Sequence, residues 1–487
     1  MKILTAAQIR EADRYTIQHE PIESLDLMER ASECMAQWIA NHIEQDRPLC
    51  FLVGKGNNGG DGLAVARMLF RAGYTCWIYT VFGKEALSED CRANWDRLPK
   101  GLKVQPFSEA TIPPSGVIVD ALLGSGVRGR VEGPLAEAIA WINRQGVPVI
   151  SIDLPSGLQT EYGNDPSGVV QASTTLTLEF PKLSLLLPEA GDCAGKVVVL
   201  PIGLDEVFIR QSESPYFYVD EAFVSSLQKA RRPFAHKGDY GHALLICGGE
   251  GMVGAAILAT GAALRSGCGL VTVHMPCCEA GALYANCPSA MLSGDPQSYF
   301  SVLPADMSRF TAIGIGCGLG QRKESLEALK SLLGLGKPMV LDADALNLLA
   351  AHPDLQTLVS PLSVLTPHPG ELRRLVGPWQ DDEQRNRLAS DLARRLASYV
   401  VVKGAHTMVC TPEGRFYFNS TGNPGMAKGG SGDVLTGLIT GLIARGYGAG
   451  EAAILGVYWH GAAGDRAAEY YGQESMNSGD LAEFIQA

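Results

Sequence analysis

Two glycine-rich stretches carry the residues best suited to chemistry. The later one, Asn423-Pro424-Gly425-Met426-Ala427-Lys428-Gly429-Gly430-Ser431-Gly432-Asp433, runs into Val434, Leu435, Leu438, Ile439, Leu442 and Ile443. That spacing predicts a buried helix, with Gly437 and Gly441 thinning one of its faces. Amides of Gly430, Ser431 and Gly432 at the helix start, where the dipole adds roughly half a positive charge, would form an anion hole. Asp433 then stands beside a bound anion, a poor place for a charge-balancing carboxylate and a good one for a base. A packing turn capped by Asp433 is the plainer alternative.

The earlier stretch, Gly54-Lys55-Gly56-Asn57-Asn58-Gly59-Gly60-Asp61-Gly62, follows the short apolar run Cys50–Val53 and is expected to be a loop before a helix over Leu63–Ala72. Val117–Leu123 predicts another strand, with Asp120 near its end and Gly124-Ser125-Gly126-Val127-Arg128-Gly129-Arg130 after it. After a second strand over Cys76–Phe82 and this third, Val147–Ile152 predicts a fourth that ends in Asp153-Leu154-Pro155-Ser156-Gly157. Loops after parallel strands converge on a ligand crevice. Asn58, Asp120 and Ser156 are hard oxygen donors with a single carboxylate and no imidazole, a set that suits a monovalent cation such as potassium better than zinc or magnesium. Asp153 remains as the proton donor and acceptor. Each of these residues also has a plain role as a turn former or cap. Lys182, in Phe180-Pro181-Lys182, is either a phosphate ligand or a solvated lysine.

The elements that must position these groups form two α/β series. Helices are expected over Ala6–Gln18, Ser24–Glu44 and Pro134–Asn143, and a polar interval over Arg210–Pro215 puts a domain boundary near residue 215, giving domains 1–215 and 216–487. The second series opens with strand Ala243–Cys247, the loop Gly248–Ala255 and a helix over Ala256–Arg265. Strands ending before Cys317-Gly318, Asp342-Ala343-Asp344, Pro367-His368-Pro369-Gly370-Glu371 and Lys403-Gly404-Ala405-His406-Thr407 return to one sheet edge. His368 would either bind a ligand amide or cap a helix. The Lys403–Thr407 segment would either wrap a nucleotide phosphate or make a plain turn.

Composition narrows the function class. With 487 residues, 56 glycines, 19% charged residues and a net charge of -12, the chain suits a two-domain α/β enzyme and not a nucleic-acid binder. Twelve cysteines without a C-x-x-C pair suggest reduced thiols in the cytoplasm, and no apolar run reaches membrane-spanning length. Nine histidines without H-x-x-x-H spacing argue against a histidine metal site.

Asn57-Asn58-Gly59-Gly60-Asp61-Gly62, Asp120, the loop to Arg130 and Asp153–Gly157 together resemble the NAD(P)H-hydrate epimerases. Gly254-Ala255, Gly318, Thr366–Glu371, Lys403–Thr407 and Gly429–Asp433 resemble the ADP-dependent NAD(P)H-hydrate dehydratases, relatives of ribokinase. The resemblance covers nearly the whole chain and implies a Rossmann-like three-layer αβα domain followed by a ribokinase-like α/β domain. It implies that Asn57, Asn58, Gly59, Gly60, Asp61, Gly124–Arg130 and Asp153 hold the NADH or NADPH hydrate for interconversion of its R and S forms, with potassium on Asn58, Asp120 and Ser156. It also implies that Ala255, Gly318, His368 and Asp433 contact the S hydrate for dehydration, while Lys403, Gly404, Ala405, His406, Thr407 and Gly432 hold ADP with magnesium. A homo-oligomer is expected. The competing readings are a ribokinase-type small-molecule kinase, a first half that only senses nucleotides, and a structural or partner-binding role.

Overall fold

The computed structural model describes all 487 residues, which divide into two compact units: 2–216 with Asp381–Glu383, and the remainder. The first unit holds seven parallel strands: β1 (Leu49–Val53), β2 (Cys76–Thr80), β3 (Val104–Pro106), β4 (Val117–Ala121), β5 (Val149–Ile152), β6 (Thr174–Leu178) and β7 (Lys196–Leu200). Their order is β3-β2-β1-β4-β5-β6-β7. β1, β4 and β5 are buried throughout, as strands covered by helices on both faces must be. Phe51, Val119 and Ile152 pack with Ile39, Leu63 and Leu69, while Leu52 and Ile118 pack with Ile139 and Ile142, the two apolar layers of an αβα sandwich. The strand order reverses between β1 and β4, which opens a crevice at their carboxyl ends.

Three helices matter for that crevice: α1 (Ala6–His19), α2 (Ser24–His42) and α3 (Asn57–Arg71). The start of α3 corrects the expectation of a long glycine loop, because Asn57 to Gly62 already form its first turns. Glycine disfavours a helix, but close packing decides here. A Cβ on Gly59 would lie 2.0 Å from the Gly54 carbonyl oxygen, so only glycine lets the helix start this near the strand end.

The second unit carries β8 (Tyr216–Val219), β9 (His242–Ile246), β10 (Leu270–Pro276), β11 (Met291–Asp295), β12 (Ala312–Ile315), β13 (Val340–Leu341), β14 (Val364–Leu365), β15 (Tyr399–Val402), β16 (Met408–Cys410) and β17 (Phe416–Asn419). The sheet order is β11-β10-β9-β12-β13-β14-β15-β16-β17-β8. It is parallel from β11 to β15 and turns antiparallel through β16 and β17. The order reverses between β9 and β12, again opening a crevice. Helix Ser431–Ala444 lies against helix Val253–Arg265, and a Cβ on Gly437 would come within 1.9 Å of the Ala259 carbonyl oxygen. No helix is long and apolar enough to cross a membrane.

Candidate active site

At the first crevice Asp153 follows β5 with a φ of 64°, a left-handed conformation that costs a non-glycine residue about 1–3 kcal/mol and points to a functional constraint. Its Oδ1 accepts from the Lys182 ammonium and, at 3.5 Å, from the Leu178 amide, and Oδ2 has no protein partner. Lys182 donates further to Thr177 Oγ1 at 3.0 Å and to the Leu178 carbonyl at 3.1 Å. Only 1% exposed, it is neither a phosphate ligand nor a solvated lysine, which overturns both expectations. Its single charge is already matched by Asp153, and burial leaves no room for a phosphate.

Two further carboxyls share this field. Burial pushes Asp61 well above the usual carboxylate range, and the charges of Asp153 and Asp13 push the same way. Asp13 of α1 is raised to about 6 by burial and by Asp153, against the pull of Lys182. The site therefore gathers three mutually repelling carboxyls, Asp153, Asp13 and Asp61, with the Lys182 ammonium paired to the first and pulling on the second.

Asp120 lies wholly buried on β4. It accepts from Ser151 Oγ (2.9 Å), Ser156 N (2.8 Å), Ser156 Oγ (2.6 Å) and Leu122 N (3.3 Å), all neutral donors. Burial raises its pKa and these bonds lower it, with a net rise. Asn58 Nδ2 donates to the Leu123 carbonyl at 3.0 Å, and the Ser156 hydroxyl reaches the same oxygen at 3.2 Å. Asn58, Asp120 and Ser156 are thus brought together around residues 122–123. Gly124 adjoins Asn58, at 3.2 Å from the position of an added Cβ, and Ser125 to Arg130 extend outward from there.

At the second crevice Gly430 is the left-handed N-cap of helix Ser431–Ala444, and the first-turn amides have no carbonyl one turn back within the helix. Asp433 lies in that turn. Burial raises its pKa, against a hydrogen bond from the Cys317 thiol, and Asp342 raises it further. Cys317, Asp342 and Asp433 place their ligand atoms within 4.8 Å of one another. Lys403 Nζ lies 2.7 Å from Asp342 Oδ1 and 3.8 Å from Glu371 Oε2. Burial opposes that ammonium, yet Asp342 and Glu371 hold its pKa above the ordinary value. Gly432 is close by, since a Cβ there would lie 3.3 Å from Lys403 Nζ.

Ala255 and Gly318 face each other where the chain leaves β9 and β12, an added Gly318 Cβ meeting Ala255 Cβ at 3.2 Å. His368 caps helix Pro369–Val376, its Nδ1 accepting from Gly370 N at 3.0 Å, with half of its side chain exposed. Gly404 and Ala405 are exposed, and Thr407 Oγ1 closes the turn by donating to the Gly404 carbonyl at 3.0 Å. His406 Nδ1 bonds the Asn419 carbonyl oxygen at 3.0 Å and points into the fold.

Sequence reasoning missed Asp13 and the role of Lys182, and assigned nothing to Cys317, Asp342 or His460. For Lys182 a signal existed: one lysine in the apolar run Phe180–Leu187 must find a carboxylate if that run is buried. His460, from the long helix Ala449–Tyr471, meets Ser431 Oγ at 3.4 Å, with its pKa lowered by burial to about 4. Nothing local announced it.

The family model for NAD(P)H-hydrate dehydratase matches residues 243–487, and that for the YjeF-related protein N-terminus matches residues 24–184. A bifunctional NAD(P)H-hydrate repair enzyme of Moorella thermoacetica is 35% identical over 100% of this chain and 96% of its own. The chain belongs to the bifunctional NAD(P)H-hydrate repair enzyme family. A second member of the family, from Coxiella burnetii, is 36% identical over 97% of this chain and 96% of its own. A solved ribokinase-like superfamily protein from Enterococcus faecalis covers 56% of this chain and 95% of its own at 29% identity, with a TM-score of 0.51. The α/β fold and the ribokinase-like second half match the expectation.

Proposed function

We propose that each crevice performs one half of the repair of a hydrated nicotinamide coenzyme. The observation that carries this reading is the pair of separate sites, each at the switch point of its own sheet and each holding a candidate proton-transfer carboxylate, Asp153 and Asp433. The substrate bears a hydroxyl on C6 beside the ring nitrogen, a carbinolamine. In the first site the nitrogen lone pair expels that hydroxyl as Asp153 Oδ2 delivers a proton. Water then adds to either face of the planar iminium and returns a proton to the same carboxylate, which interconverts the R and S forms. Asn57, Asn58, Gly59, Gly60, Asp61 and the Gly124–Arg130 loop surround the ring and its phosphates.

Potassium fits the first site. Asp120 is a fully buried carboxylate with only neutral donors, and a buried charge calls for a counter-charge. Asn58, Asp120 and Ser156 would hold the ion, which when bound supplies positive charge near the diphosphate.

In the second site Asp433 takes the proton from the C6 hydroxyl as it attacks the terminal phosphoryl of ADP. ADP leaves as AMP; phosphate is a better leaving group than hydroxide, so loss of phosphate from C6 and of a proton from C5 restores the dihydronicotinamide. The amides of Gly430, Ser431 and Gly432 face the transferring phosphoryl, a role in which losing one donor costs about 100- to 1000-fold in rate. Lys403 to Thr407 and Gly432 hold the nucleotide, while Ala255, Gly318 and His368 contact the hydrate. Magnesium would ride on the phosphates near Asp342 and Asp433, where it supplies charge neutralisation. The twelve cysteines, none of them in a disulfide, support a cytoplasmic enzyme. A homo-oligomer is proposed with them, tested by light scattering.

The test is a mixed-epimer hydrate incubated with ADP. The intact chain restores all of the reduced coenzyme, and a chain lacking the first activity stops when the S form is consumed. A stable phosphorylated hydrate as the end product would instead identify a kinase.

A further inference from the structure

Beside the first crevice lies a cavity of about 540 Å³, bounded by the start of α1, by the Ser125–Arg128 segment and by residues 159–162. Its volume falls within the roughly 300–1,000 Å³ of small-molecule sites. Two guanidiniums line it, Arg10 from α1 and Arg128 from the loop, and neither makes a hydrogen bond or ion pair. Both are solvent-exposed, and their like charges in one lining favour an anion there. Glu161 is the one acid in the lining, and its Oε1 accepts from the Ala6 amide at 3.2 Å.

We propose that this cavity is the distal half of the epimerase site, binding the diphosphate and adenosine ribose of the hydrated dinucleotide through Arg10, Arg128 and Glu161. The inference rests on the epimerase reading of Asp153 and adds helix α1 to its site. Two connections join the cavity to the reacting end. Arg10 and Asp13 lie three residues apart on one helical face, and Asp13 stands in the field of Asp153 and Lys182. The Gly124–Arg130 loop begins against Asn58 and reaches the cavity through Ser125, Val127 and Arg128. The ring would lie at Asp153 with the diphosphate about one helical turn along α1. Two arginines match the two negative charges of a diphosphate, and bidentate guanidinium contacts suit its oxygens. Glu161 offers a carboxylate oxygen for ribose hydroxyls.

The experiment compares epimerisation of NADH hydrate by the full chain, R10Q and R10K, with ADP-ribose as competitor and dehydration by the same preparations as a folding control. R10Q should raise KM by about 10- to 100-fold, the loss of one charged bidentate contact, and weaken inhibition by ADP-ribose in parallel. R10K should recover part of both. The hydrate of reduced nicotinamide mononucleotide keeps one phosphate and lacks the adenosine half, so R10Q should raise its KM less than it raises that of NADH hydrate. Unchanged KM and inhibition in R10Q, or a fall in kcat at constant KM, would overturn the subsite alone. A wild-type chain that does not epimerise the hydrate would overturn the reading beneath it.

Discussion

Replacing Lys182 by methionine tests the electrostatic core of the first site. Lys182 is 1% exposed and Asp153 13%, and the ammonium places its three protons on Asp153 Oδ1, Thr177 Oγ1 and the Leu178 carbonyl. Methionine keeps most of the volume but strands a carboxylate that is already held in a strained backbone conformation. Breaking a buried pair from one side costs about 3–5 kcal/mol, a large part of the roughly 5–15 kcal/mol that holds a domain together. Urea unfolding followed by tryptophan fluorescence reads this unit best, because four of the six tryptophans, Trp38, Trp77, Trp95 and Trp141, belong to it. K182M should lose about 3 kcal/mol, and D153N should also destabilise by stranding the ammonium. The double variant should recover about 2 kcal/mol of the summed loss. Epimerisation should fall in K182M while dehydration by the same chain persists. Additive losses, or a K182M cost below about 1 kcal/mol, would refute the assignment of Lys182 as the residue that holds Asp153.

Four further outcomes follow from the geometry. D433N should abolish dehydration and spare epimerisation, and D153N should do the reverse, both read from absorbance of the restored coenzyme; one substitution removing both activities from a folded chain would contradict the division. Asp13, raised from 3.8 to about 6, binds more protons folded than unfolded between those values, so its stabilising contribution is complete below pH 3.8 and lost as pH rises through 6. D13N should therefore raise stability at pH 7 by about 1–2 kcal/mol after allowance for solvent screening, with little gain at pH 4, in urea unfolding at both pH values. G437A must push helix Ser431–Ala444 off the Ala259 carbonyl, and thermal unfolding should show a loss of about 1–3 kcal/mol. Exchanging potassium for tetramethylammonium should slow epimerisation in the wild type, and D120N should remove that dependence.

Some of this was written in local sequence. Apolar runs such as Val149–Ile152 between polar and glycine punctuation specify strands, and the placement of Asp120 near the end of one such run and of Asn58 and Asp153 after others puts them on one sheet edge. The buried helix after Asp433 followed from its 3.6-residue period. The start of α3 was misjudged because glycine propensity points to a loop. What requires glycine at position 59 is the close Gly54 carbonyl, an approach fixed by the path of the chain around β1. The strands β16 and β17 escaped notice because three- and four-residue runs leave almost no periodic trace.

The sequence alone determined which residues lie at the ends of the strands, because a side chain's position along or after a strand is local information. Tertiary structure decided their charge states and partners: that Lys182 turns inward to Asp153, that Asp13 arrives from a helix 140 residues upstream of Asp153, and that Asp342 takes the ammonium of Lys403. Desolvation and Coulomb coupling depend on what is packed within a few ångströms, and packing brings together residues that the chain keeps far apart.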